Sequence, residues 1–294
     1  MASEAVVERS VGHRLAGFFH GRPRLQISSL LAGPVGWLVI GYLGSLVVLL
    51  IAAFWTVDPL SGELVHGLSF ENFETLVNEP VYRDIVKRTV LIAALVTVTD
   101  AVLAFPIAFY MAKVASRRGK AILVVAVLLP LWSSYLVKVY AWRTMLSAGG
   151  VINWALAPLG LSGPGFGSTA VWLVMSYLWL PYMILPIYAG LERIPNSLIS
   201  ASEDLGASPF TTFRRVILPL AFPAVVAGSI FTFALTLGDY ITPRLVSNDQ
   251  FIGNVIFNNI SNNLPFASAL ALVPIVVMIA YLLVARRLGA FEHI

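Results

Sequence analysis

A chain of 294 residues that is 58% hydrophobic and only 12% charged is too apolar for an ordinary soluble domain, and reads as an all-α protein built to sit in a lipid bilayer. No cysteine is present, which excludes disulfides and thiolate metal sites, and His13, His20, His66 and His293 have no metal-ligand spacing. The net charge of +4 is what a positive-inside topology produces, so no nucleic-acid partner is expected. Residues 1–26 are polar and basic without an apolar core, and read as a cytoplasmic tail rather than a cleaved leader.

Crossing a hydrocarbon core of about 30 Å takes about 20 residues. Six runs qualify as transmembrane helices, at roughly Ile27–Val57, Thr89–Ala112, Ala121–Trp142, Thr169–Leu191, Leu220–Val246 and Phe266–Ala285. Prolines 106, 130, 181, 186 and 274 fall inside them as kink points. An even number of spans places both termini on one side, and the basic residues choose that side. The N-terminal tail, the loop at 113–120, the loop at 193–215 and the C-terminus hold thirteen of the 19 Lys and Arg, so these segments are expected in the cytoplasm. The resulting division is a tail at 1–26, a first transmembrane helix at 27–57, an external loop at 58–88, a core of five spans at 89–287 and a second tail at 288–294. Short external helices are expected at Phe70–Val77 and Val151–Leu159. Asp58, Glu63, Glu71, Glu74, Glu79 and Asp84 crowd the first external loop, either to attract a cationic solute or as an ordinary solvated surface.

Two acids lie within the predicted spans, and an ionisable group at membrane depth normally faces a protein interior or a water-filled path. Asp100 falls about 12 residues into span two, or ~18 Å, near the midplane. It is a pathway candidate, with a structural hydrogen bond to Thr97 or Thr99 as the alternative. Asp239, followed by Tyr240 in a Gly238-Asp239-Tyr240-Ile241-Thr242-Pro243 run, is expected near the outer end of span five, as a pathway acid or a helix-end acid. Aromatic rings mixed with small polar residues are the other signal, in Trp132-Ser133-Ser134-Tyr135 and at Tyr140, Trp142, Tyr177, Trp179 and Tyr182. Such rings hold an ammonium group by cation–π attraction, or anchor the chain at the headgroups, the reading that suits Tyr140 and Trp142. There is no phosphate-binding GxxxxGK[ST] loop, nucleophile elbow or HExxH, so the chain is expected neither to be an enzyme nor to hydrolyse ATP by itself.

The one long polar interruption is Ser200–Pro219. Gly206 supplies the left-handed residue that ends a helix, and Ser208-Pro209 an N-cap followed by proline at the first helical position, so the segment reads as helix, tight turn, helix. Charges at Glu203, Asp204, Arg214 and Arg215 beside apolar Leu205, Phe210 and Phe213 suit a surface element gripped by another protein.

This loop resembles the cytoplasmic coupling loop of bacterial ABC importer permeases, whose pattern is Glu-Ala-Ala, three residues, Gly, nine residues, Ile-x-Leu-Pro. Ser200, Ala201 and Ser202 fall at the Glu-Ala-Ala positions, then Gly206, Val216, Leu218 and Pro219; Ser200 stands where the pattern has Glu. Phe105-Pro106-Ile107-Ala108-Phe109, Leu129-Pro130-Leu131-Trp132-Ser133-Ser134, Val139-Tyr140-Ala141-Trp142 and the Gly238–Pro243 run resemble the spermidine/putrescine branch. The resemblance implies a six-helix type I importer permease fold, with a coupling loop at 195–219 that seats Ser200, Ala201, Ser202, Glu203, Asp204, Gly206, Ala207, Ser208, Pro209 and Arg214 on an ATPase dimer. It also implies a second, similar permease, an external solute-binding protein, and ATP and Mg held by the ATPase, with no cofactor on this chain. The solute is expected to be a polyamine passing Asp239, Tyr240, Trp132, Ser133, Tyr135, Trp179 and Asp100. Other readings are a different small organic solute, such as an amino acid derivative, compatible solute or opine, or an ion-coupled transporter acting alone.

Overall fold

A computed structural model describes residues 23–287; of the tail expected at 1–26 only 23–26 is described, and it is already helical, while the tail at 288–294 lies outside the described residues. The chain divides into two compact units at Ala52 and Ala53. In the first, α1 (Pro23–Trp37) runs through a π-helical turn at Leu38–Leu43 into α2 (Gly44–Ala52). Leu30–Ala52 is long and apolar enough to cross a membrane, and exposed Leu30, Trp37 and Ile40 are chemically suited to lipid.

This first helix stops at Ala52, short of the expected Val57. In the second unit Thr56–Val57 instead forms β1, paired antiparallel with β2 (Leu64–Val65), Thr56 opposite Val65. The turn between them explains the difference: Asp58 Oδ1 accepts from Leu60 N (2.7 Å) and Ser61 N (3.0 Å). The Ser61 and Leu60 amides hold this exposed carboxyl below its ordinary pKa. Helix α3 (Glu71–Asn78) follows, and its Asn72 side chain donates to Ala53 O and Trp55 O, satisfying carbonyls just ahead of the β-hairpin.

The core is three long helices packed together: α4 (Pro80–Phe109), α8 (Ser168–Arg193) and α11 (Leu218–Gly238). Each has an apolar face shared with its neighbours. Ile92, Val96, Val171, Val174 and Met175 form one cluster, and Ala104, Ala108, Met183, Ile187, Leu191 and Ala221 another. Two glycines set the α8–α11 spacing. A Cβ at Gly190 would collide with Ala224, and one at Gly228 would lie 2.8 Å from Met183 Sδ. Small residues let helix backbones approach in lipid, where apolar burial gives little drive for association.

The remaining elements of this unit are α5 (Arg117–Trp132), α6 (Tyr135–Leu146), α7 (Val151–Leu156) with a 3₁₀ turn at Ala157–Leu159, and then, after α8, α9 (Asn196–Asp204) and α10 (Pro209–Thr212). After α11 come α12 (Ile241–Val246), α13 (Ile252–Asn259) and α14 (Leu264–Arg287). Helices at Leu30–Ala52, Pro80–Val114, Ser168–Arg193, Pro209–Gly238 and Leu264–Arg287 meet the length and composition of membrane spans.

Two expected spans are corrected. The third is not one helix: α5 and α6 meet at 88° across Ser133–Ser134. Pro130 accounts for the place, because a proline cannot continue the hydrogen-bond ladder. Its carbonyl is satisfied at the bend by Ser133 Oγ (2.8 Å) and Lys138 Nζ (2.9 Å). The fifth does not reach Val246, since α11 ends at Gly238 and the chain restarts as α12.

Candidate functional site

Asp239 occupies the break between α11 and α12. Its Oδ1 accepts from Ile241 N (2.9 Å) and Thr242 N (3.2 Å), which caps the first turn of α12. Its Oδ2 accepts from Tyr135 Oη (2.5 Å) and Thr242 Oγ1 (2.6 Å). Four donors therefore converge on one partly buried carboxylate. The acid stands immediately after the Pro209–Gly238 span, at its end as expected, and it also starts the next helix. It is bonded to Tyr135, which stacks on Trp179 at 5.9 Å and 13°, and Trp179 lies near the middle of α8.

A cavity of about 350 Å³ opens beside this group, lined by Tyr135, Trp179, Ala234, Leu235, Gly238, Asp239, Tyr240 and Ile241. A carboxylate at a helix break, bordered by three aromatic rings, suits a cationic group: the acid supplies charge and the ring faces supply cation–π attraction. Tyr240 is fixed by stacking on Phe257 at 4.7 Å, and Trp179 by an edge contact with Tyr182 at 5.9 Å. A larger cavity of about 610 Å³ lies elsewhere, lined only by apolar side chains such as Phe105, Phe109 and Phe222, and offers no group that would orient a polar solute.

The structure thus brings together Asp239, Tyr240, Tyr135 and Trp179 and leaves three other candidates apart. Trp132 is 80% exposed at the end of α5 and does not line the cavity. Ser133 is spent on Pro130 O. Asp100 is buried in α4, and the expected bonds to its neighbouring threonines are absent. Thr97 donates its proton to Ala93 O in its own helix, and Thr99 accepts from Trp172 Nε1. Thr242, whose hydroxyl donates to Asp239 and lies 2.8 Å from Tyr135 Oη, was not singled out from sequence. Its signal was available: an Asp three residues before a Thr is the spacing of a capped helix start.

The polar loop has the expected local geometry. Gly206 has φ +76°, Gly206 N donates to Glu203 O and Ala207 N to Ser202 O, closing α9 in a Schellman turn. Ser208 Oγ then accepts from Thr211 N with Pro209 at the first helical position of α10. Ser202 and Thr212 hydroxyls join the two helices at 2.9 Å. Leu205 (89% exposed) and Phe210 (71%) project outward, while Ser200, Ala201, Glu203, Asp204 and Arg214 are also exposed. Lys113, in the π-helical turn at Tyr110–Val114 that prolongs the end of α4, ties the base of the loop to the core by donating to Ile194 O (2.5 Å) and Asn196 Oδ1 (3.1 Å). Lys120 adds a second tie, to Ala112 O and Glu192. Neither lysine was legible as an anchor, because their partners are more than 70 residues away in sequence apart from Ala112.

Comparison with known proteins identifies the family. The family described as "Binding-protein-dependent transport system inner membrane component" matches residues 86–291. The chain is 45% identical, over 95% of each sequence, to the inner membrane ABC transporter permease protein YdcU of Escherichia coli (strain K12). It is 31% identical to the spermidine/putrescine transport system permease protein PotB of Haemophilus influenzae, covering 85% of this chain and 90% of that one. Among solved structures, a bacterial alginate ABC transporter in complex with alginate pentasaccharide-bound periplasmic protein superposes with a TM-score of 0.71 at 18% identity, covering 92% of this chain and 97% of that one. The MetNI methionine ABC transporter, in inward-facing form, gives 0.55 at 18% identity over 71% of this chain and 94% of that one. At such identities these two likenesses concern the fold alone.

Proposed function

Because this chain belongs to the family of binding-protein-dependent transport system inner membrane components, we propose that it is the importer permease subunit that carries a small cationic solute, a polyamine of the putrescine or spermidine type. The observation that carries this reading is the cavity at the helix break, where the Asp239 carboxylate sits among Tyr135, Trp179 and Tyr240. The relatives named for spermidine and putrescine transport at about 30% identity support the same branch.

In this reading a solute-binding protein delivers the amine at the outer face and a second permease completes the passage. A separate ATPase dimer, which holds ATP and Mg, grips Leu205 and Phe210 on the α9–α10 loop, and both termini of this chain lie in the cytoplasm. Closure of the ATPase moves the loop, and the Lys113 tie passes that movement to the ends of α4 and α8. Two consecutive states then differ in which side reaches Asp239, and the solute shifts between them only as far as its affinity differs.

The test is solute selection by the reconstituted transporter with its partner permease, ATPase and binding protein. ATP-dependent uptake of putrescine or spermidine, competed by other amines and not by neutral or anionic solutes of similar size, is the expected result. Uptake confined to a neutral or anionic solute would overturn the assignment.

A further inference from the structure

Asp100 on α4 has no exposed surface, and neither carboxylate oxygen has a hydrogen-bond partner. On α8, the Ser176 hydroxyl approaches this carboxylate without closing a hydrogen bond, and it too is buried and unpartnered. One helical turn further along α8 the buried Nε1 of Trp179 is a third polar atom without a partner, and the same indole walls the Asp239 cavity. Ser176 and Trp179, three residues apart, share one face of α8. Buried polar groups are almost always paired, so facing orphans on two packed helices mark a place that a further group completes.

The chemistry narrows that group. Water would satisfy the hydrogen bonds but leave a buried charge unbalanced. A proton on Asp100 would remove the charge and supply one O–H to Ser176, but would leave the other carboxyl oxygen unfilled. An ammonium does both, because it carries the opposite charge and has N–H donors enough for both Asp100 and the Ser176 oxygen.

We propose that Asp100 and Ser176 form a second ammonium station, one turn of α8 from the Trp179 indole that walls the Asp239 cavity, so that the permease hands a solute with two or more amines from one carboxylate to the other. This rests on the reading that the solute is cationic. The station is sealed in this conformation, and it is reached when α4 and α8 part or the Trp179 ring swings during the transport cycle. A solute with spaced amines gains from it, because one end engages Asp100 before the other leaves Asp239.

The test uses the complete reconstituted transporter. Asp100→Asn keeps the size of the side chain and removes the charge, so it should lower putrescine uptake about tenfold or more, with assembly of the complex checked by copurification. Wild-type complex is labelled in parallel with dicyclohexylcarbodiimide and the Asp100 peptide read by mass spectrometry, which does not depend on a variant folding. Labelling should slow several-fold during putrescine turnover. Uptake by Asp100→Asn within about twofold of wild type, or the same labelling with and without putrescine, zero included, overturns the station. Wild type that imports putrescine while the variant matches it refutes only the station, whereas wild type that imports no amine refutes the cationic reading and the station with it.

Discussion

The Tyr135 hydroxyl lies 2.5 Å from Asp239 Oδ2 and bridges residues 104 apart in sequence. It stands where an arriving ammonium would bond, so a cationic solute must displace this donor. Hydrogen bonds to charged groups contribute about 1.5–3 kcal/mol, so Tyr135→Phe should lower the KM for putrescine by roughly tenfold while the ring keeps its stack on Trp179. Trp179→Ala should act in the opposite direction, raising KM by about 2- to 30-fold for a loss of ~0.5–2 kcal/mol of cation–π attraction. Uptake kinetics on the two variants check both signs.

Gly206 governs the loop. Its φ of +76° is strained for any β-branched residue, and no neighbour crowds the position, so only the backbone conformation is at stake. Gly206→Val should cost about 1–3 kcal/mol in local strain, unwind the end of α9 and abolish solute-stimulated ATP hydrolysis. Gly206→Asn, which tolerates the left-handed region better, should retain much of it. ATPase assays with and without solute-loaded binding protein make the comparison.

Lys113 connects the end of α4 to the start of the loop through Ile194 O and Asn196 Oδ1. Lys113→Met removes both bonds and leaves the Ile194 carbonyl unsatisfied, at a cost of about 1–3 kcal/mol. The expected outcome is slippage: more ATP consumed per solute moved, with the subunits still assembled. Measuring the ATP-to-solute ratio separates this from a plain loss of protein.

The α8–α11 contact sets a packing limit. Gly190→Leu drives a side chain into Ala224, and overpacking of this kind costs about 1–3 kcal/mol or more. Thermal unfolding of the purified transporter in detergent should fall by several degrees relative to wild type.

Particular residues explain how much was readable from sequence. Ser208, Pro209 and Gly206 act through backbone rules that span three or four residues, and their turn is as the sequence implied. Long apolar runs likewise marked α4, α8 and α14, because lipid demands length and apolarity together. The bend at Ser133–Ser134 was hidden because Pro130 announces a kink but not its angle, which depends on Lys138 reaching back to the freed carbonyl. The break at Asp239 was hidden for a related reason. The hydropathy of Leu220–Val246 is continuous, and only the cap from Asp239 to Thr242 ends one helix and starts the next. Tyr135 and Asp239 were each legible as candidates, but their pairing depends on α6 packing against α12, which no local pattern encodes.

The most direct measurement is ATP-dependent putrescine uptake by reconstituted transporter carrying Asp239→Asn. Asparagine keeps an oxygen to accept from the Ile241 and Thr242 amides, so α12 stays capped while the charge is lost. Uptake should fall by about a hundredfold, corresponding to ~2.7 kcal/mol, with basal ATP hydrolysis and assembly preserved. Uptake within about twofold of wild type would contradict the account, leaving Asp239 as a helix cap and placing the solute's path elsewhere.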